Sequence, residues 1–172
     1  VYGSYFFIGG ELGGGAEVEA ASVDLIVATN NSSVTVSSST VDGNGNGSYS
    51  YLAVHNGNIS SEASNNTLII SAGSTVNSEY GYVAGGETYV EVSEGNAGAY
   101  ANNNSVTVDD STSGDVYGGK ANAQIGSDYE QATEGTINVN ANGNAVLLSD
   151  GATASAVFGG YANARVGYVE AL

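Results

Sequence analysis

Eighteen carboxylates, one histidine and two dependable cations, Lys120 and Arg165, make up nearly all the acid–base chemistry available to this 172-residue chain. The stretch Asp42-Gly43-Asn44-Gly45-Asn46-Gly47 follows the pattern D-x-[DN]-x-[DN]-G. That is the first half of a loop that offers a calcium ion side-chain oxygens from alternate positions, here Asp42, Asn44 and Asn46. The twelfth position is Ala53, where a bidentate glutamate would stand, so the loop is incomplete. Asp109 and Asp110, with Asp115, form a second oxygen-rich cluster. At a formal net charge of −16, divalent cations would relieve repulsion between stacked acids. Calcium is therefore the one cofactor the pattern invites. The plainer reading of the same residues is a Gly/Asn turn and solvated aspartates.

Catalysis has less to work with. His55 is the only histidine, and nothing in the sequence sets a serine beside it for a Ser-His-Asp arrangement. Paired carboxylates hydrolyse glycosides, and the available acid clusters are Glu17/Glu19, Glu87/Glu91/Glu94 and Asp128/Glu130. A spacing of two puts Glu17 and Glu19 on one face of a strand, which is most often a solvated face. The expectation is a protein that is not an enzyme. Two cations cannot neutralise a phosphate backbone, so nucleic acid is excluded as a partner, and an anionic membrane surface would repel the chain. No apolar run approaches the ~20 residues of a membrane-spanning helix. Six Asn-x-Ser/Thr sequons, at Asn30, Asn31, Asn46, Asn58, Asn65 and Asn103, are what so Asn- and Ser-rich a chain produces by chance. Lys120 and Arg165 read as ordinary exposed charges, with pairing to acids across coils or chains as the alternative.

The elements that must carry these residues announce themselves by repetition. VYGGKANAQIG (116–126) returns as VFGGYANARVG (157–167), and YGYVAGG (80–86) ends in the same Gly-Gly phrase. A second phrase, asparagines followed by a β-branched run, appears as NNSSVTV (30–36), NNTLII (65–70) and NNNSVTV (102–108), and degraded as NGNAVLL (142–148). Taking Val34, Leu68, Val106 and Val146 as equivalent gives steps of 34, 38 and 40 residues. The two phrases alternate, so the unit is 33–41 residues long. Within it, valines sit at i and i+2 in Ser33-Val34-Thr35-Val36, Thr88-Tyr89-Val90-Glu91-Val92 and Ser105-Val106-Thr107-Val108. That period is the signature of strands with one buried face. Such apolar runs, recurring in register, argue against a disordered chain.

Short strands in a repeat of this size predict an all-β parallel β-helix, a β-solenoid spanning 1–172 as a single domain or segment without an internal linker. A propeller lacks its blade signatures here, and a sandwich does not require repeats. With about 20 residues per coil, each repeat would make two coils, and eight coils would form a rod on the order of 40 Å long. In such a stack asparagine ladders on asparagine and ring on ring. The asparagines before each valine run are expected in left-handed turns. Each Gly-Gly is expected at a tight corner needing positive φ or close backbone approach.

DVYGGKA (115–121) and AVFGGYA (156–162), alternating with NNSVTV (103–108), resemble repeats in the passenger regions of bacterial autotransporters. The resemblance is clearest over 80–168. It implies a right-handed parallel β-helix, an extracellular, cell-surface location and a structural or adhesive role. The chain departs from that family in carrying no membrane-barrel translocator. It opens inside one repeat phrase, with no initiating methionine, and stops just after another, which reads as a processed product or a segment of something longer. Both ends are apolar: Tyr2, Tyr5, Phe6, Phe7 and Ile8 at one, Tyr168, Val169 and Leu172 at the other. Uncapped edges of this kind pair with other chains. The expected partner is therefore a second copy, stacked head to tail into a fibre, or the remainder of a longer surface protein, with host or glycan ligands on its loops. The rival expectation is a polysaccharide-binding or polysaccharide-cleaving module, in which Tyr49, Tyr51, Tyr80, Tyr82 and Tyr100 stack on sugar rings.

Overall fold

The computed structural model describes residues 5–8, 23–77, 81–126 and 135–167. These residues form strands and turns, with no helix among them. The chain runs through β1 (Tyr5–Ile8), β2 (Val23–Ala28), β3 (Ser33–Ser37) and β4 (Thr40–Asp42), then β5 (Gly45–Asn46), β6 (Tyr49–Glu62), β7 (Thr67–Ser71) and β8 (Thr75–Asn77). It continues with β9 (Tyr82–Tyr100), β10 (Ser105–Asp109) and β11 (Thr112–Ser113), then β12 (Asp115–Ile125), β13 (Ile137–Asn140), β14 (Ala145–Ser149) and β15 (Thr153–Ala154), and ends on β16 (Val157–Val166). All pairings are parallel and link equivalent strands of successive turns. β3, β7, β10 and β14 make one sheet, and β4, β8, β11 and β15 a second. A third sheet, of eight strands, has the path β1-β6-β9-β12-β16. The fold is a parallel β-solenoid. Val34, Leu68, Val106 and Val146 occupy one column, as their spacing implies.

One repeat is one coil, not two. Three full turns separate β3 from β14, and the five rungs of the largest sheet span about 19 Å at ~4.8 Å per rung. The expected eight coils and 40 Å rod are thus corrected to half that number and length. The reason is the size of each turn, which encloses two apolar lobes. In the first, Val34, Val36, Leu68, Ile70, Val106 and Val108 face Val76, Val83 and Val116. In the second, the long strands fold back on themselves, so Leu52 and Val54 meet Ile59, and Val90 and Val92 meet Ala97 and Ala99. Ser50 Oγ lies 2.6 Å from Ser61 Oγ across that lobe.

Between the lobes the solenoid has a waist, and both sequence phrases build it. One wall is a spine of asparagines, the buried Asn66 and Asn104 and the half-buried Asn144, one per rung. The backbone N–H of Ser32 donates to Asn66 Oδ1 (2.9 Å), that of Asn66 to Asn104 Oδ1 (2.9 Å), and that of Asn104 to Asn144 Oδ1 (2.8 Å). The Nδ2 groups of Asn104 and Asn144 donate to the carbonyls of Ala63 and Ala101, each at 2.8 Å. The opposite wall is the Gly-Gly phrase. A β-carbon on Gly86 would stand 2.5 Å from the Ala63 carbonyl and 2.7 Å from Asn104 Oδ1, and one on Gly119 would lie 2.5 Å from the Ala101 carbonyl. The glycines are therefore required by close approach, not by a corner: Gly85-Gly86, Gly118-Gly119 and Gly159-Gly160 lie inside β9, β12 and β16 and none has positive φ. The corner expected there is corrected accordingly.

The real corners use left-handed residues. Asn31 (φ 61), Asn65 (φ 58), Asn103 (φ 54) and Gly143 (φ 65) turn the chain before each valine run, as asparagine and glycine tolerate best. At the next corner stand Ser38, Ala72, Asp110 and Asp150, all with positive φ. A ladder of opposite polarity flanks the spine: Ser64 N–H donates to Asn30 Oδ1, Asn102 N–H to Ser64 Oγ, and Asn142 N–H to Asn102 Oδ1. Side chains thus satisfy backbone donors that a turn takes out of the sheet.

Candidate functional site

The first halves of the long strands carry a dense cluster on their outer face. Register places Tyr49, Glu87, Lys120 and Tyr161 in one column, Asn46, Ala84, Tyr117 and Phe158 in a second, and Tyr51, Tyr89, Asn122 and Asn163 in a third. At its centre is Glu87. Lys120 Nζ lies 2.9 Å from Glu87 Oε1, with side chains 18% and 5% exposed. Tyr82 donates its hydroxyl to Glu87 Oε2 (2.6 Å), and Asn46 Nδ2 donates to the same oxygen (3.0 Å). Lys120 Nζ also stands 3.7 Å from the centre of the Tyr82 ring, a cation–π contact that strengthens as water is excluded. One side of the strand packs on the interior and the other lies under this cluster, so every residue from Val83 to Thr88 is buried. Lys120 is not the ordinary exposed charge its type suggests.

Rings stack along the same face. Tyr51 and Tyr89 lie 5.2 Å apart and nearly parallel, and Tyr117 stacks on Phe158 at 4.8 Å. Tyr117 also meets Tyr82 and Tyr161 edge-on. Burial, and then the neighbouring Glu91 charge, push the Tyr51 phenol from 10.0 up to about 12. Burial, and then Asp115, also raise Tyr117. The linkage has one sign. Below pH 10 the Tyr51 contribution to stability is fully present. It is lost as pH rises from 10 through about 12, because the unfolded chain releases this proton first. Tyr51→Phe is expected to flatten the stability profile in that alkaline window and to remove a step near pH 12 from an ultraviolet phenolate titration.

A second feature lies on the outer face of the other half of these strands. A groove of about 560 Å³ is lined by Ile26, Asn58, Ser60, Asn96, Gly98 and Tyr100, among others. Gly98 leaves its floor open beside the Tyr100 ring.

The calcium candidates are placed apart. Asn44 Oδ1 accepts the Tyr82 N–H (3.1 Å), Asn46 faces Glu87, and Asp115 continues the Asn44–Tyr82 column. Asp109 and Asp110 belong to a different corner, where Asp109 Oδ1 accepts from Ser149 Oγ (2.6 Å) and Asp110 supplies the left-handed turn. Asp42 ends β4, with its side chain outside the described residues. Among the described residues no group of three or more His, Cys, Asp or Glu is arranged around a common point. The side chains of His55 and of Tyr5, Phe6, Phe7 and Ile8 also lie outside the described residues, as do Tyr2, Glu17, Glu19, Tyr80, Asp128, Glu130, Tyr168, Val169 and Leu172. The backbone of β1 pairs with β6, Tyr5 opposite Tyr49.

Sequence reasoning allowed Lys120 to pair across coils but did not name Glu87 as its partner, although the signal is present. Aligning the Gly-Gly phrases sets Gly86-Glu87 above Gly119-Lys120, opposite charges in one column one rung apart. Parallel in-register stacking turns such an alignment into contact. No protein-family model, no curated protein and no solved structure matches this chain.

Proposed function

We propose that this chain is an extracellular structural element, a rigid solenoid whose rungs stack end to end into a surface fibre or form part of an adhesin stalk. The observation that carries this reading is the open edge of β16 among the described residues. All of β16 is exposed, and Val157 and Val166 occupy columns whose preceding members, Val116 and Ile125, are buried. Leu148 is exposed in the column of buried Val108. In-facing apolar positions on an open parallel edge are a template for another rung. A second copy laid on it makes a heterologous contact that does not close, which yields a filament. The resemblance of the repeats to autotransporter passengers supports the cell-surface location.

Electron microscopy with calcium and then with a chelator tests the reading. Fibres of uniform width support it, and their loss on chelation would make calcium a component of the contact. Separate short rods in both conditions would sink stacking between copies. Val157→Asp with Val166→Asp is expected to abolish fibres while leaving the circular dichroism of the solenoid unchanged, since both side chains lie on the open rung.

The groove beside Tyr100 favours a second reading, polysaccharide binding, because an open floor, an aromatic ring and the Asn58–Asn96 amide pair suit a sugar. A glycan that raises the melting temperature of the native chain but not of Tyr100→Ala would support it.

A further inference from the structure

Lys120 is the only lysine of the chain, and it is held against a carboxylate that also holds a buried carboxamide. Asn46 is 1% exposed, and its Oδ1 has no hydrogen-bond partner among the described residues. A buried carbonyl oxygen left without a donor calls for a reason. Asn46, Glu87 and Lys120 stand on three successive rungs, with the amine on one oxygen of Glu87 and the amide on the other. Around them are Tyr82 and Tyr117, whose rings lie 3.7 and 5.5 Å from the lysine nitrogen. The 2.9 Å contact between Nζ and Oε1 is short enough for a proton to pass directly from the lysine to the glutamate.

We propose that Lys120 and Asn46 join in an intramolecular isopeptide bond, with Glu87 moving the protons. Glu87 takes a proton from the lysine ammonium. The neutral Nζ, swung off Oε1 by rotation about its terminal bonds, attacks Asn46 Cγ, and the orphaned Oδ1 receives the developing negative charge. Glu87 returns its proton to Nδ2 and removes the next one from Nζ. The Cγ–Nδ2 bond breaks, the Nζ–Cγ amide remains, and ammonia departs with the last proton as ammonium, leaving Glu87 a carboxylate. No oxidant or cofactor enters. The product bridges alternate rungs on the outer face and does not depend on how the ends of the solenoid are covered.

Intact-mass spectrometry of the purified, folded chain tests this. The expected mass is lower than that of the sequence by one ammonia molecule, with a linked peptide pair containing Asn46 and Lys120 after digestion. Glu87→Gln and Lys120→Arg are expected at full mass. Asn46-Gly47 could also lose ammonia by backbone cyclisation to a succinimide. That product survives Lys120→Arg and opens in mild base with a gain of one water, and finding it alone would overturn the proposal. Full sequence mass in the wild type would also overturn it and leave a plain buried ion pair. Should either variant fail to fold, the wild type alone decides. Once the chain is denatured, the lysine must resist an amine-modifying reagent, and a modified Lys120 refutes the bond.

Discussion

Gly119→Ala is expected to destabilise the solenoid by about 3 kcal/mol or more, although the change adds a single methyl group. The new carbon would lie 2.5 Å from the Ala101 carbonyl and 2.6 Å from the Asn144 carboxamide. The first is backbone fixed by the ladder, and the second is pinned by its own hydrogen bonds to Ala101 and Asn104. Neither can withdraw without opening the waist, and the waist is shared by both lobes. Gly151 is the control. Its φ of +82 strains any L-residue, but a β-carbon there meets nothing within 4 Å. Gly151→Ala should cost only the left-handed penalty, about 1–2 kcal/mol. Urea denaturation followed by circular dichroism separates the two. Equal midpoints would mean that the waist yields, and that the glycines are not there for close approach.

Asn104→Ala is expected to cost about 3–5 kcal/mol, from unsatisfied buried groups plus a cavity. The side chain accepts from the Asn66 backbone N–H and from Asn66 Nδ2 (3.0 Å), and its Nδ2 reaches both the Ala63 carbonyl and Asn144 Oδ1 (3.2 Å). Truncation strands partners on two neighbouring rungs at once. The Asn58–Asn96 pair offers the comparison. Asn96 donates to Asn58 Oδ1 (2.6 Å) and accepts the Thr136 N–H (2.8 Å), but this ladder is exposed and water replaces what is lost. Asn96→Ala should therefore cost less than about 1 kcal/mol. A deficit at Asn104 no larger than at Asn96 would mean that the spine is ornamental.

Much of this architecture was legible because in-register stacking copies sequence alignment into space. The column of Val34, Leu68, Val106 and Val146 could be read from the phrases alone, as could the left-handed asparagines. What could not be read was where the chain folds inside a turn. β6 and β9 run unbroken through the reversal that brings Leu52 to Ile59 and Val90 to Ala97. The bend is marked by the positive-φ Gly57 and Gly95 and by a shift of the buried positions from even to odd, but in so glycine-rich a chain those two glycines do not stand out, and the coil is about twice the size that strand length suggests. The Gly-Gly phrase was misplaced for a related reason: glycine enters a sequence both where the backbone must turn and where two backbones must meet. Only the opposing Asn104 and Asn144 say which applies here. At the candidate site the aromatic columns were visible, whereas the Glu87 cluster depends on side-chain reach across rungs. Of the calcium pattern in 42–47, Asn44 accepts the Tyr82 backbone N–H and Asn46 donates to Glu87, contacts that residue type alone does not announce.

The lengths of the individual turns carry a last consequence. From Val54 to Ile59 the second lobe closes in a few residues, yet two rungs later the same closure, from Ile125 to Ile137, takes more than twice as many. The register beyond it is undisturbed: Ile137 still pairs with Ala97, and Asn144 still takes its place in the spine. The waist acts as a phase lock. It re-zeroes each turn after the lobe tip has been traversed, so an insertion there is not carried into the next rung. Foreign sequence placed between Ile125 and Ile137 is therefore expected to leave the following rung in register, which makes that segment the natural grafting point for displaying a peptide on the solenoid.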